Sequence, residues 1–430
     1  MVTSHLTKDQ KKAFGLLGVG TFLEFFDLML YIQMAVLLND LFFPVELQVT
    51  NPNLYKFFRN FSLCSSFLFR PLGAIILGWI GDNIGRKATI IITTFVMATC
   101  CGIMVVVPTY QTIGISSSII VTCCRIFQGM SSIGEIIGAE LYLFEISKPP
   151  IRYFLVSMVT VTSYTGGLAA LAMATFISIY DINWRYAFAF GLCVALIGIF
   201  ARTVLRESSD FLDAKKKLKI YHKQFPNNSN NDNSYCEEVE DISLNKKTFF
   251  LYCCFFFCPS FIFTYIFCTD LMKGLGIPIG QILKQNLYVQ LISTLYLFFL
   301  SYLTYYIHPL KLIRMRFFIS LIFVIFSFFF FEKINCAWHV FLMQLFVIIG
   351  ANENPGVSIY IKYFPIFKRF RALSLGFTLT KALATFSATY YIPSLVDYFP
   401  KCALYFIFLP PLIIFHFALS HFEKLEKSEF

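Results

Sequence analysis

The stretch RIFQGMSSIGEIIGAE, residues 125–140, puts one arginine and two glutamates inside a long apolar run. The stretch GTFLEFFDLMLYIQM, from Gly20, puts Glu24 and Asp27 inside another. On insertion scales an ionisable side chain within hydrocarbon costs at least about 2.5–3.5 kcal/mol, so each must be offset by a partner or a task. An arginine can hold a carboxylate, of the protein or of a bound solute, through charge-assisted hydrogen bonds. A carboxyl kept from water can carry a proton. Glu24 lies about ten residues into its run, near mid-depth at about 1.5 Å per residue, and Asp27, three residues on, shares its helix face. Arg125 lies about twelve residues into a run entered from the opposite side, which brings it to a similar depth. Two readings stay open. In one, Arg125 holds a substrate carboxylate while Glu24 or Asp27 carries a coupling proton; in the other, the charges are a permanent ion pair that orients helices. Tyr31 and Gln128, on the same two segments, complete this group of substrate and proton-coupling candidates.

Further charges sit at other depths. Glu135 lies about 15 Å beyond Arg125 along the same segment, toward its far end. Glu140 and Glu145 are expected at a solvated helix end beside Lys148 and Arg152. Arg70, before Pro71, serves either a carbonyl freed by the proline or transport itself. IIGANENPGVS carries Asn352, Glu353, Asn354 and Pro355, and such a polar, proline-broken segment is tolerated at membrane depth only against a cavity or protein interior. Lys381, in GFTLTKALATF, is placed to pair with Glu353. Tyr31 and Tyr164 could offer ring faces to a quaternary ammonium, although 53 Phe and 23 Tyr put an aromatic near almost any point.

The elements that position these residues follow from composition. Of 430 residues 57% are hydrophobic and only 14% charged, against about a quarter charged in soluble domains. Mean hydropathy is +0.68. Apolar runs of 18 or more residues recur along the chain, each able to cross about 30 Å of hydrocarbon as a helix. The expected fold is an all-α membrane protein of about twelve transmembrane helices, at 14–38, 57–80, 88–107, 113–143, 153–179, 184–205, 248–272, 282–306, 312–331, 336–361, 371–396 and 400–421. Residues 1–205 form an N-terminal six-helix bundle and 248–430 a C-terminal one. Residues 206–247, polar and Asn-rich, read as a linker with too little apolar content to fold alone. MVTSHLTKDQKK is short, polar and basic, and the apolar run after it is too long for a cleavable signal.

The net charge of +10 does not point to nucleic acid, because the basic residues sit in the connections. With both termini and the linker on one side, 24 of the 35 Lys and Arg fall there and seven on the other. The excess places that side in the cytoplasm. Thirteen cysteines, mostly in apolar runs and without paired zinc spacing, read as reduced, small hydrophobes. No metal motif, nucleophile elbow or phosphate-cradling loop appears, which excludes the common enzyme classes and an ATP-driven pump. No catalytic residue, metal ligand or cofactor is expected.

Between the second and third spans stands GWIGDNIGRK. Gly78 permits close helix packing, Gly85 a tight turn, and Asp82 with Arg86 a charge cluster. In that place the loop resembles the signature loop of the major facilitator superfamily, whose fold is two pseudo-symmetric six-helix halves. The resemblance implies that Asp82 and Arg86 hold the cytoplasmic side closed, and that Glu135 joins them as a gate residue. The matching second-half loop, YYIHPLKLIRMRFF, keeps basic residues but lacks the acid and the Gly-Arg pair.

A closer likeness runs through the first half. The LEFFDLMLYIQMAVLLNDLFFP opening, FLFRPLGAIILGWIGDNIGRK, RIFQGMSSIGE, EISKPPIR and INWRYAFAFGL follow in the order and spacing of the metabolite:proton symporter family of bacterial proline/betaine, 2-oxoglutarate, citrate and shikimate transporters. In the second half YFPIFKRFRALSLGF is similar to the segment before the eleventh span. Phe25 stands where that family has Trp, and Ile133 where it has the first glycine of GGE. The resemblance implies a functional monomer in the bacterial inner membrane, driven by the proton gradient without a cofactor. It would import a zwitterionic osmolyte or an organic acid together with protons. The alternative is a non-transporting sensor that retains the scaffold.

Overall fold

The computed structural model describes residues 6–43, 51–180, 182–203, 207, 212–213, 215–217, 220, 246–255, 263–331, 336–351, 355–398 and 403–428. Their regular structure is helical. In the first half the helices are α1 (Lys8–Phe42), α2 (Pro52–Leu68), α3 (Arg70–Asn83), α4 (Arg86–Val106), α5 (Ile115–Glu145), α6 (Ile151–Tyr180) and α7 (Arg185–Thr203). The second half has α8 (Lys246–Phe255), α9 (Cys268–Gly274) entered through one π-helical turn (Phe263–Phe267), α10 (Ile279–Leu303), α11 (Pro309–Phe331), α12 (Ala337–Ala351), α13 (Val357–Ile361), α14 (Ile366–Tyr398) and α15 (Ala403–Ser428). Lys8–Met34 of α1, and α4, α5, α6 and α10, are each long and apolar enough to cross a membrane unaided.

Local chemistry sets several of these boundaries. Thr7 and Gln10 begin α1 with a reciprocal cap: the Gln10 N–H donates to Thr7 Oγ1 (3.2 Å) and the Thr7 N–H to Gln10 Oε1 (3.0 Å). The span expected at 57–80 is two helices. Pro71 has no N–H to continue the ladder, so α2 stops and α3 restarts from Phe69, whose carbonyl accepts from Leu72 and Gly73. Gly85, between α3 and α4, has φ +149°, a conformation that side chains with a Cβ rarely adopt.

In the first half α1 packs along α6 and against α5 and α7, with α4 between α5 and α7. The principal contacts between halves are α3 with α14 and α6 with α10. Counted as spans these are two with eleven and five with eight. Exchanging the halves turns one pair into the other, as a pseudo-two-fold axis requires. On α10 polarity is inverted relative to a soluble protein: Asn286, Gln290 and Ser293 are buried, while Leu295, Phe298 and Phe299 face outward. That inversion is what a lipid-facing helix with a polar interior needs.

Gln10 donates to the Ile146 carbonyl, between α5 and α6 (3.3 Å). Glu426, near the end of α15, meets Lys362, between α13 and α14 (2.5 Å). Both described chain ends therefore lie on the face that carries the α3–α4 turn, called the linker side below. There Gly78 lets α3 touch α14: a Cβ on Gly78 would stand 2.8 Å from the Arg371 Cα. Gly78→Leu should therefore overpack the closed linker side by about 1–3 kcal/mol. Spin labels at Asn83 and Lys368 should report a shift to longer distances; an unchanged distribution would contradict this contact.

Candidate functional site

A small cavity lies inside the first half, lined by Glu24, Asp27, Leu28, Ser66, Arg70, Met97, Arg125, Gln128, Gly129 and Ser132. Its charged residues are 1–4% exposed, so bulk solvent is shut out. Three helices supply them: α1 gives Glu24 and Asp27 from one face, α3 gives Arg70 just after the proline break, and α5 gives Arg125. Arg125 Nη1 lies 3.3 Å from Asp27 Oδ2 and donates to Gln128 Oε1 (3.0 Å). Its guanidinium covers the Tyr31 ring at 4.2 Å, while the Tyr31 hydroxyl bonds Ser62 (2.7 Å). Cys101 donates to Asp27 Oδ1 (3.6 Å).

The second pair is looser. Arg70 Nη2 stands 3.7 Å from Glu24 Oε1, too far for a hydrogen bond. Both Glu24 oxygens, Arg70 Nε, and Nε and Nη2 of Arg125 have no hydrogen-bond partner among the described residues. Spare donors of both arginines thus border a space shared with an unbonded carboxylate.

The α3–α4 turn is a closed clasp. Asp82 accepts from the backbone N–H groups of Phe370 (3.1 Å) and Arg371 (3.0 Å) on α14. Arg86 donates to Asp82 (2.9 Å), to Glu145 (3.3 Å) and to the Ile366 carbonyl across the halves (3.0 Å). Arg369 reaches Glu145 at 3.8 Å. Glu207 accepts from the first N–H groups of α4, those of Arg86 (2.9 Å) and Lys87, where a helix N-terminus favours an anion. Its carboxylate fills the space a Cβ on Gly85 would need.

Several expectations are corrected. Glu135 is not in the clasp. Its carboxylate is held by Arg202 of α7 (2.6 Å) and by the hydroxyls of Thr93 (2.8 Å) and Thr94 (2.7 Å) of α4. The reason is length: α5 runs ten residues, about 15 Å, past Glu135, so the acid at the clasp is Glu145. Glu140 and Glu145, expected in solvent, are both buried. Lys381 is half-buried with its ammonium 5.6 Å from the Phe377 ring centroid. Glu353 lies outside the described residues, and with it the proposed pairing to Lys381. Tyr164 stacks on Phe25 (6.0 Å). The second-half loop, which has no acid of its own, draws on α15: Arg314 grips Glu423 (2.9 Å), and His308 faces Glu426 (3.9 Å).

The model of the sugar (and other) transporter family matches residues 17–249, more than half of the chain. The chain belongs to that family. A putative proline/betaine transporter of Staphylococcus haemolyticus (strain JCSC1435) is 34% identical over 206 residues, 46% of this chain and 43% of that protein. A citrate-proton symporter of Klebsiella pneumoniae is 33% identical over 206 residues, 46% of each chain. The matched stretch thus spans less than half the length of these relatives. Among solved structures, the proton:xylose symporter XylE bound to 6-bromo-6-deoxy-D-glucose aligns with a TM-score of 0.78 at 16% identity, covering 96% of this chain and 95% of that one. That likeness shows the major facilitator fold of twelve helices in two halves. The family is one of transporters rather than enzymes, and the chain is a multi-pass membrane protein.

Sequence reasoning assigned no role to Arg202 or Arg369, and none to a buried amide network in the second half. There Gln344 donates to Asn286 (3.1 Å) and to the Thr264 carbonyl (2.9 Å), and Gln290 donates to the Tyr164 carbonyl across the halves (3.0 Å). An arginine and amides inside apolar runs were the available signals. For the Glu135–Arg202 pair, breaking one side of a buried ion pair costs about 3–5 kcal/mol, whereas an apolar replacement of both sides is close to neutral. Glu135→Ala should lower the melting temperature in detergent sharply, and Glu135→Met with Arg202→Met should recover most of the loss. A double variant no better than the single would contradict the pairing.

Proposed function

We propose that this chain is a proton-coupled secondary transporter that carries a small polar metabolite into a bacterial cytoplasm by alternating access, with both termini and the linker cytoplasmic. The observation that carries this reading is the closed cavity in which two arginines and the Glu24 carboxylate leave hydrogen-bonding positions unused. A structural ion-pair cluster would gain by filling them; a site that must alternately hold and release a solute and a proton cannot. The relatives' names, proline/betaine transporter and citrate-proton symporter, support the same class.

The rocking elements are the two symmetric contacts, α3 with α14 and α6 with α10. In this state Asp82 and Arg86 tie α3 and α4 to α14, and the cytoplasmic side is shut. Opening exchanges those bonds for water and turns the cavity inward. All of the cavity's lining lies on the first half, so the second half can move against the site without separating Arg125 from Asp27 or Arg70 from Glu24.

Proteoliposomes with an acidic exterior should accumulate labelled solute from a set containing lactate, proline, betaine, 2-oxoglutarate and citrate. A protonophore should abolish the accumulation. Asp82→Asn removes a charge-assisted interaction of about 1.5–3 kcal/mol and should shift the resting population toward the inward-open state roughly tenfold or more, read by labelling of a cysteine placed in the cavity. Uptake indifferent to the proton gradient would overturn the proposal.

A further inference from the structure

The two ion pairs of the cavity are not equivalent. Asp27 is committed: Arg125 lies 3.3 Å away, Cys101 donates to it, and Arg125 is itself fixed by Gln128 and the Tyr31 ring. Glu24 and Arg70 touch only at 3.7 Å, with neither Glu24 oxygen nor Arg70 Nε hydrogen-bonded among the described residues. Arg70 and Arg125 line the same space, and Nε and Nη2 of Arg125 have no hydrogen-bond partner among the described residues. A single carboxylate placed there meets spare donors from both guanidiniums.

Resting on the transporter reading above, we propose that Glu24 and Arg70 are the exchanging pair, and that the site takes a monocarboxylate together with one proton. A proton on Glu24 breaks its attraction to Arg70, and Arg70 then turns its donors to the substrate carboxylate. Deprotonation restores the internal pair and expels the anion. The charge count selects the substrate. With Glu24 ionised the cavity holds two cations and two anions; the proton leaves an excess of one positive charge, which one carboxylate cancels. A dicarboxylate would leave a buried negative charge and a zwitterion a buried positive one, each unbalanced where desolvation is costly. The Tyr31 ring is not free for a quaternary ammonium, since Arg125 already covers it.

The other charges around Glu24 do not upset this count. Asp27, on its own helix, is balanced by Arg125, and Glu135 on α5 by Arg202 on α7.

The test is binding and proton counting on the purified full chain, by calorimetry in buffers of different ionisation enthalpy. The solutes are acetate, propionate, lactate, pyruvate, 2-oxoglutarate, citrate, proline and betaine. A monocarboxylate should bind best and take up one proton per molecule. Its affinity should fall about tenfold per pH unit on the alkaline side of the transition. Glu24→Gln should remove this pH dependence and the proton uptake. Arg70→Gln should weaken binding at least tenfold. Preference for a dicarboxylate or a zwitterion, binding of no monocarboxylate, or wild-type binding without proton uptake would each overturn the proposal. The wild-type count decides even if a variant fails to fold. Gradient-driven accumulation of citrate or betaine alone would preserve the transporter reading while removing this assignment.

Discussion

Charge neutrality within a poorly solvated interior organises this molecule. Several buried acids in the first half are balanced locally. Asp27 faces Arg125, Glu135 faces Arg202, and Glu145 shares Arg86 and Arg369. Coulomb attraction in a low dielectric offsets desolvation only at short range and with hydrogen bonds completed. In the Glu135 group and the clasp the arginine and carboxylate approach to 2.6–3.3 Å, and hydroxyls or backbone N–H groups add further bonds to the acids. The Glu24–Arg70 pair falls short of that condition, and that shortfall is the opening for a substrate.

The helical scaffold follows from the same solvent. Backbone groups in hydrocarbon must bond within their own segment, so the chain is helical wherever it crosses. Interruptions occur where they can be absorbed inside protein, as at Pro71, and this break is what delivers Arg70 into the cavity. Gly78 and Gly85 serve the opposite end of α3, one by letting α14 come close and the other by turning the chain beneath the Glu207 carboxylate. A single short helix thus connects the charge site to the clasp.

Much of this was legible in the sequence, and the rest was hidden for definable reasons. Apolar runs located the helices, and depth arithmetic along α1 and α5 put Glu24, Asp27 and Arg125 at one level because a straight helix has a fixed rise. The same arithmetic misread Glu135, since it requires knowing where α5 ends, and α5 extends to Glu145. Arg70 stayed ambiguous because its partner lies on another helix and its orientation depends on how Pro71 breaks the span. Arg369 looked like an ordinary positive-inside charge. Composition alone cannot distinguish a solvated loop arginine from one folded into the clasp.

The most direct measurement uses liposomes clamped at zero membrane potential, with a pH indicator inside and a small monocarboxylate such as lactate added outside. The lumen should acidify by one proton for each labelled anion that enters, with no dependence on an imposed potential, and Glu24→Gln should abolish the acidification. Entry that carries net charge, or acidification that persists in Glu24→Gln, would contradict it.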